Sequence, residues 1–202
     1  ALPAVNNSGA SIVAADYDKD GDLDLFVCGR VSPGEYPVSP KSFLLRNDVS
    51  NGAAKFTDVS AAQLPQRGNM GMVTTALWTD FDNDGWIDLV VAGEFMPITF
   101  IKNEKGKLIS NSPLTIDNSQ GWWNSLVAGD FDNDGDIDYL AGNTGLNNWL
   151  KTSIAEPVSV YAKDYDKNGR IDPILCHYND GVEYIVHSRD DINLQMTAMK
   201  AR

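Results

Sequence analysis

The chain has 202 residues, 43% of them hydrophobic and 22% charged, with a net charge of −12 at pH 7. That size and balance suit one folded domain with a real core and exclude a disordered chain. The acidic pI of about 4.4 argues against nucleic acid and anionic membranes as partners, and no apolar run approaches the ~20 residues of a membrane span.

The opening, ALPAVNNSGAS, has no basic stretch followed by an apolar one, so no signal peptide is read there. A removed signal or a piece of a longer protein is expected, and the chain is expected to be soluble. SIVAA (11–15) then leads into DYDKDGDLD (16–24), followed by LFVCG (25–29) and FLLRN (43–47). The order returns as TTALWT (74–79), DFDNDGWID (80–88), LVVAG (89–93) and ITFIKN (98–103). A third copy reads SLVAG, DFDNDGDID (130–138), YLAGN and NWLK (148–151), and a fourth SVYAK, DYDKNGRID (164–172) and PILCH. The apolar runs are short, rich in β-branched and aromatic residues and bounded by Gly, Asn and Asp, which predicts strands. NDG (179–181), between ILCHY and VEYIVH, predicts a hairpin turn. The tail from Asp190 is expected to be the one helix, with Ile192, Met196 and Met199 on one stripe.

The loops begin 64, 50 and 34 residues apart and hold five, four, five and three acids, 17 of the 28 in the chain. Repeats at such spacing point to solenoids, propellers or arrays. A strand, an acidic loop, a strand and up to two more strands are the content of a propeller blade. Blades are expected at about 9–62, 70–117, 121–156 and 157–188. The last spacing is too short for a full four-stranded blade, so an open arc of about four blades is expected, self-associating through its open ends. Cys28 and Cys176 occupy the same repeat slot as Ala92 and Gly142, a small position in a packed strand, and are read as free thiols. His177 and His187 lack metal-ligand spacing.

Clustered carboxylates repel one another, by roughly 4 kcal/mol for a pair at ~4 Å and an effective dielectric of ~20. A bound cation offsets this. Written D-x-D-x-[DN]-G-x-[LI]-D, each loop has oxygen side chains at positions 1, 3, 5 and 9, and a glycine for the sharp turn at 6. Position 7 varies freely, as expected if only its carbonyl is used. Positions 2 and 8, always aromatic and always Leu or Ile, are expected to pack into the core. Calcium takes six to eight such oxygens, whereas magnesium prefers strict octahedra with several waters. The helical calcium loop needs Glu at position 12; Val27, Val91, Ala141 and Leu175 stand there, which excludes it.

Loops of this form between short strands resemble the FG-GAP or VCBS repeats of integrin-type β-propellers. GWWNSLVAGDFDNDGDIDYLAGNTGLNNWL and SRDDINLQM further resemble bacterial envelope proteins with cartilage-acidic-protein-like (ASPIC) propellers. The resemblance implies an all-β propeller segment over 1–190 and calcium in each loop. Its ligands would be Asp16, Asp18, Asp20, Asp22 (carbonyl) and Asp24, then Asp80, Asp82, Asp84, Trp86 (carbonyl) and Asp88. The third set would be Asp130, Asp132, Asp134, Asp136 (carbonyl) and Asp138. The fourth keeps Asp164, Asp166 and Asp172 but carries Asn168 and Arg170, so it is expected to be the weakest of up to four Ca²⁺ sites.

No GxSxG, HExxH, P-loop or dinucleotide fingerprint is present. The expected role is a non-catalytic adhesion scaffold for a protein or glycan ligand, secreted, periplasmic or on the cell surface. A polysaccharide lyase or hydrolase built on the same propeller is the alternative. Trp86, Trp122 and Trp149 are the candidate ligand-facing aromatics, against the plainer expectation that the tryptophans fill gaps between blades.

Overall fold

The computed structural model describes residue 2 and residues 7–49, 52–109, 114–145 and 147–196. They form an all-β protein of antiparallel sheets with a short helix near the C-terminus. The chain divides into two compact units, one of Ala1–Ser32 and Ser39–Asn143, the other of Pro33–Val38 and Thr144–Arg202.

In the first unit, β1 (Ser8–Ala15), β2 (Asp24–Val31), β3 (Phe43–Asn47) and β4 (Phe56–Asp58) form a four-stranded meander in sequence order. A four-residue helix, α1 (Ser60–Gln63), and a 3-10 turn (Pro65–Gly68) with left-handed Gln66 and Arg67 follow. The expectation of a single helix at the tail is thereby corrected. SAAQ is too short to show helical periodicity in sequence. Next come β5 (Met72–Thr79), β6 (Asp88–Met96), β7 (Thr99–Ile101), β8 (Leu114–Thr115), β9 (Gly121–Gly129) and β10 (Asp138–Asn143). The second and third repeats share one six-stranded sheet, because β9 pairs with the end of β6 through Glu94–Trp122 and Met96–Gly121.

The core explains why LVVAG reads as a continuous apolar run. Successive strand residues face opposite ways, and β6 is covered on both sides. Leu89 and Val91 join Tyr17, Phe26, Cys28, Leu44, Val73 and Ile101 in one cluster. Val90 and Ala92 pack with Ile98 against Trp123, Leu126 and Ala141. Each such aliphatic side chain withdrawn from water contributes ~1.5–3 kcal/mol.

The second unit contains β11 (Ser159–Lys163), β12 (Asp172–Asn179) and β13 (Val182–Ile185), ordered β11-β12-β13. The β12–β13 turn is Asp180-Gly181, with φ of 51° and 79°, the two positive angles of a type I′ hairpin. NWLK, expected as a strand, forms bends instead; Asn148 turns the chain by donating to the Gly145 carbonyl and accepting from Leu150 N–H. The tail helix, α2 (Arg189–Gln195), is capped by Ser188 Oγ, which accepts from Asp191 N–H. Ile192 is half-buried and Met196 buried, while Met199 lies outside the described residues. No helix among the described residues is long and apolar enough to cross a membrane.

Candidate metal centres

Each acidic loop joins the first two strands of a repeat, and all four share one hydrogen-bond skeleton. The carboxylate at position 1 accepts the N–H groups of positions 5 and 6: Asp16 from Asp20 and Gly21, both at 3.1 Å, and likewise Asp80, Asp130 and Asp164. The side-chain oxygen at position 5 accepts the N–H of position 7, closing an Asx turn in Asp20, Asp84, Asp134 and Asn168 at 2.8–2.9 Å. The chain passes through positive φ at position 4 (Lys19, Asn83, Asn133 and Lys167) and at the position 6 glycine. At position 9, Asp24, Asp88, Asp138 and Asp172 accept the N–H of position 2.

Two of these last aspartates are fully buried. Asp24 also accepts from Asn47 N–H at 2.8 Å and Asp88 from Asn103 N–H at 2.7 Å. Their burial lifts both carboxyls to about 6, against the pull of those N–H groups. Burial also raises Asp18.

The skeleton brings three acids together in every loop: Asp16, Asp18 and Asp24; Asp80, Asp82 and Asp88; Asp130, Asp132 and Asp138; Asp164, Asp166 and Asp172. In each set one oxygen per residue lies within 4.8 Å of the others. Two oxygens on one calcium ion, bound at 2.3–2.6 Å, stand at most ~5.2 Å apart, so each trio fits around a single ion. An independent observation agrees. Asp18 Oδ1 is buried and has no hydrogen-bond partner, a costly arrangement unless another group meets it. The position 5 acids Asp20, Asp84 and Asp134 stand outside these trios; Asp22, Trp86 and Asp136 at position 7 turn their N–H groups to them, and Arg170 turns its own to the Asn168 amide oxygen. In the fourth loop Asn168 keeps the turn but donates Nδ2 to Asp166 Oδ2 at 3.0 Å, engaging an oxygen of one trio member.

The expected plug at position 8 is corrected in two of the four copies, Ile87 and Ile171 being half-buried. Leu23 and Ile137 are exposed, and Phe131 at position 2 is half-exposed. With the position 9 aspartate turned inward, its neighbour in extended chain turns outward. Tyr17 alone of the position 2 aromatics is fully buried, against Trp78 at 6.0 Å.

The tryptophans divide. Trp86 is half-buried beneath the Lys19 ammonium, 4.2 Å from its ring centroid. Trp122 packs on Phe95, and Trp123 donates Nε1–H to the Ser119 carbonyl. Trp149 is exposed and meets His177 edge-on at 5.4 Å. The sequence reading missed Asn47, Asn103 and Lys102. FLLRN and FIKN both end in a basic residue and Asn, and that match was the signal available.

Residues 80–141, from the start of loop 2 through loop 3 and into β10, match the family model described as FG-GAP-like repeat. The chain therefore carries an FG-GAP-type repeat, and its four Asp loops and antiparallel sheets fit a β-propeller-like repeat module. No curated protein matches the chain.

Proposed function

We propose that this protein is a calcium-binding, calcium-stabilised propeller module of a secreted or cell-surface protein, and that it serves as a non-catalytic scaffold for protein or glycan ligands. The observation that carries this reading is the fourfold recurrence of a carboxylate trio on one backbone skeleton. Asp16, Asp18 and Asp24, and their counterparts in the other loops, would hold the ions, joined by the position 5 oxygens and position 7 carbonyls that the family resemblance implies. Bound calcium supplies charge neutralisation and cross-links the two strands that flank each loop. The aspartates themselves, pinned by four or more N–H groups per loop, are already gathered before an ion arrives, which lowers the cost of binding.

Extracellular modules bind calcium at ~10⁻⁴–10⁻³ M, so millimolar calcium stabilises the fold by roughly 0.5–2 kcal/mol per site. That range suits a compartment rich in calcium. Exposed Trp149, with His177 against it and Tyr184 on the far side of His177, is the aromatic surface we assign to a glycan. Thermal unfolding in millimolar calcium and in chelator tests the reading. A melting temperature several degrees lower in chelator is expected, with calcium retained on dialysis; an unchanged temperature and no retained calcium would overturn it.

A further inference from the structure

Loop 2 differs from its copies by holding a cation of its own. Lys102, next after β7, places its ammonium on Asp82 Oδ2 and 3.2 Å from Asp84 Oδ2. Asp82 belongs to the converging trio, and Asp84 closes the turn through Trp86 N–H. Among the described residues, the ion pairs made to loop carboxylates are these two. The first repeat has a basic residue at the matching place, Arg46 before Asn47, but its guanidinium goes to Asp48 at 2.8 Å. Asp48 in turn accepts from Thr57 Oγ1. Asp48, next after Asn47, thus draws the charge away from loop 1; the second repeat has Glu104 at the matching place, yet the Lys102 ammonium goes to the loop acids instead. The Lys19 ammonium over Trp86 brings a second positive charge to loop 2.

We infer that Lys102 is an intramolecular competitor for the loop 2 cation site, so that a divalent ion enters only as the ammonium leaves Asp82 and Asp84. This rests on the metal reading above and adds an order to it: loop 2 binds more weakly than loop 1 and fills after it. The chemistry suits displacement. A lysine ammonium is a compact charge on a flexible stem, so it can swing to solvent without disturbing β7 or the Asn103 cap. The side chain is about one-third exposed, which gives it a path outward. Filling of loop 2 then releases a free ammonium on the loop face, a change of surface charge tied to calcium concentration.

Terbium, which takes calcium's oxygen ligands and emits when a nearby tryptophan is excited, reads this loop through Trp86. The signal is the emission lost on Trp86→Phe. Lys102→Met keeps the apolar stem and removes the charge; Lys107→Met makes the same change of net charge at an exposed residue that, among the described residues, forms no ion pair with the loop 2 acids. For Lys102→Met the half-saturating terbium concentration should fall roughly tenfold, the scale set by two exposed ion pairs. Lys107→Met should shift it by less than about twofold, and Lys102→Arg should stay near the parent. An unchanged or weakened Trp86-dependent signal in Lys102→Met would overturn the inference. Equilibrium dialysis of the parent with calcium separates the two levels: binding with no effect of Lys102→Met sinks the competitor alone, and no binding at all sinks the metal reading together with it.

Discussion

Asn103 donates its side-chain amide to the carbonyl of Tyr17, 86 residues earlier and inside the first acidic loop, at 2.7 Å. The same amide donates to the Ile87 carbonyl at 2.8 Å, its oxygen accepts from Gly106 N–H, and its own N–H goes to Asp88. One fully buried side chain thus ties loop 1 to loop 2 and fixes the aspartate that ends loop 2. Asn103→Ala leaves two carbonyls and one N–H unpaired in a closed space. Buried unpaired groups cost ~1–3 kcal/mol each and are not additive, so a loss of about 3 kcal/mol is expected in urea unfolding. Asn103→Asp should cost more, since a carboxylate cannot donate and adds charge beside Asp88. Equal stability of the Ala variant and the parent would show that the knot is idle.

Arg30 sets both Nε and Nη2 at 2.7 Å from one oxygen of Glu94, linking the ends of β2 and β6. Glu94 is buried, and its other oxygen has no partner. Removing the arginine strands a buried charge, whereas removing both charges strands none. Breaking a buried pair costs ~3–5 kcal/mol, and the half-exposed guanidinium reduces that. Arg30→Met is therefore expected to cost about 2 kcal/mol, and the double variant Arg30→Met with Glu94→Gln should recover at least half of it. A double-mutant cycle in urea measures this; a double variant less stable than Arg30→Met alone would refute it.

Burial pushes the Cys28 thiol up to about 12, well above the ~8.5 of an unfolded cysteine. Between those values the folded state holds a proton that the unfolded state has lost. Stability therefore falls as pH rises from about 9 towards 12, by at most ~1.4 kcal/mol per unit for this one group. Cys28→Ala should flatten that alkaline slope. The same burial predicts that maleimide labels Cys28 only at the rate of unfolding. Rapid labelling of the native protein, or an alkaline slope equal in parent and variant, would contradict the closed site.

Much of this fold was legible in the sequence because its signals are local. FLLRN, LVVAG and SVYAK carry β-branched runs between turn residues, and they fold as β3, part of β6 and β11. The loop spacing placed oxygens at positions 1, 3, 5 and 9; those at 1, 3 and 9, such as Asp16, Asp18 and Asp24, converge, while the position 5 acid stands outside the trio. What escaped depends on where a side chain is aimed once strands pair. Leu23 and Ile137 look like core residues by type, yet the inward turn of Asp24 and Asp138 in the adjacent position sends them out. Lys102 and Arg46 occupy like places in sequence, each two residues before an acid (Glu104 and Asp48), yet Arg46 pairs with that acid while Lys102 reaches its loop. NWLK has strand composition, but the Asn148 side chain offers its backbone a turn instead.

Two glycines of the second repeat separate backbone strain from crowding. Gly85, at position 6 of loop 2, has φ of +87° with open space where a Cβ would stand. Gly93, on β6, has an ordinary φ, but a Cβ there would lie 2.0 Å from the Met72 carbonyl oxygen. Gly85→Ala should therefore cost only the price of a left-handed residue, ~1–2 kcal/mol, and Gly85→Asn less, since Asn tolerates that region. Gly93→Ala forces β5 and β6 apart where they pair, and overpacking of this kind costs ~1–3 kcal/mol or more. It should also disturb the neighbouring Glu94–Trp122 pairing that joins the second repeat to the third. Urea unfolding ranks the three variants, and hydrogen exchange locates the damage. Faster exchange confined to loop 2 is expected for Gly85→Ala, and faster exchange across β5, β6 and the start of β9 for Gly93→Ala. The reverse assignment would mean that loop 2, rather than the close approach of β5 and β6, sets the limit on this sheet.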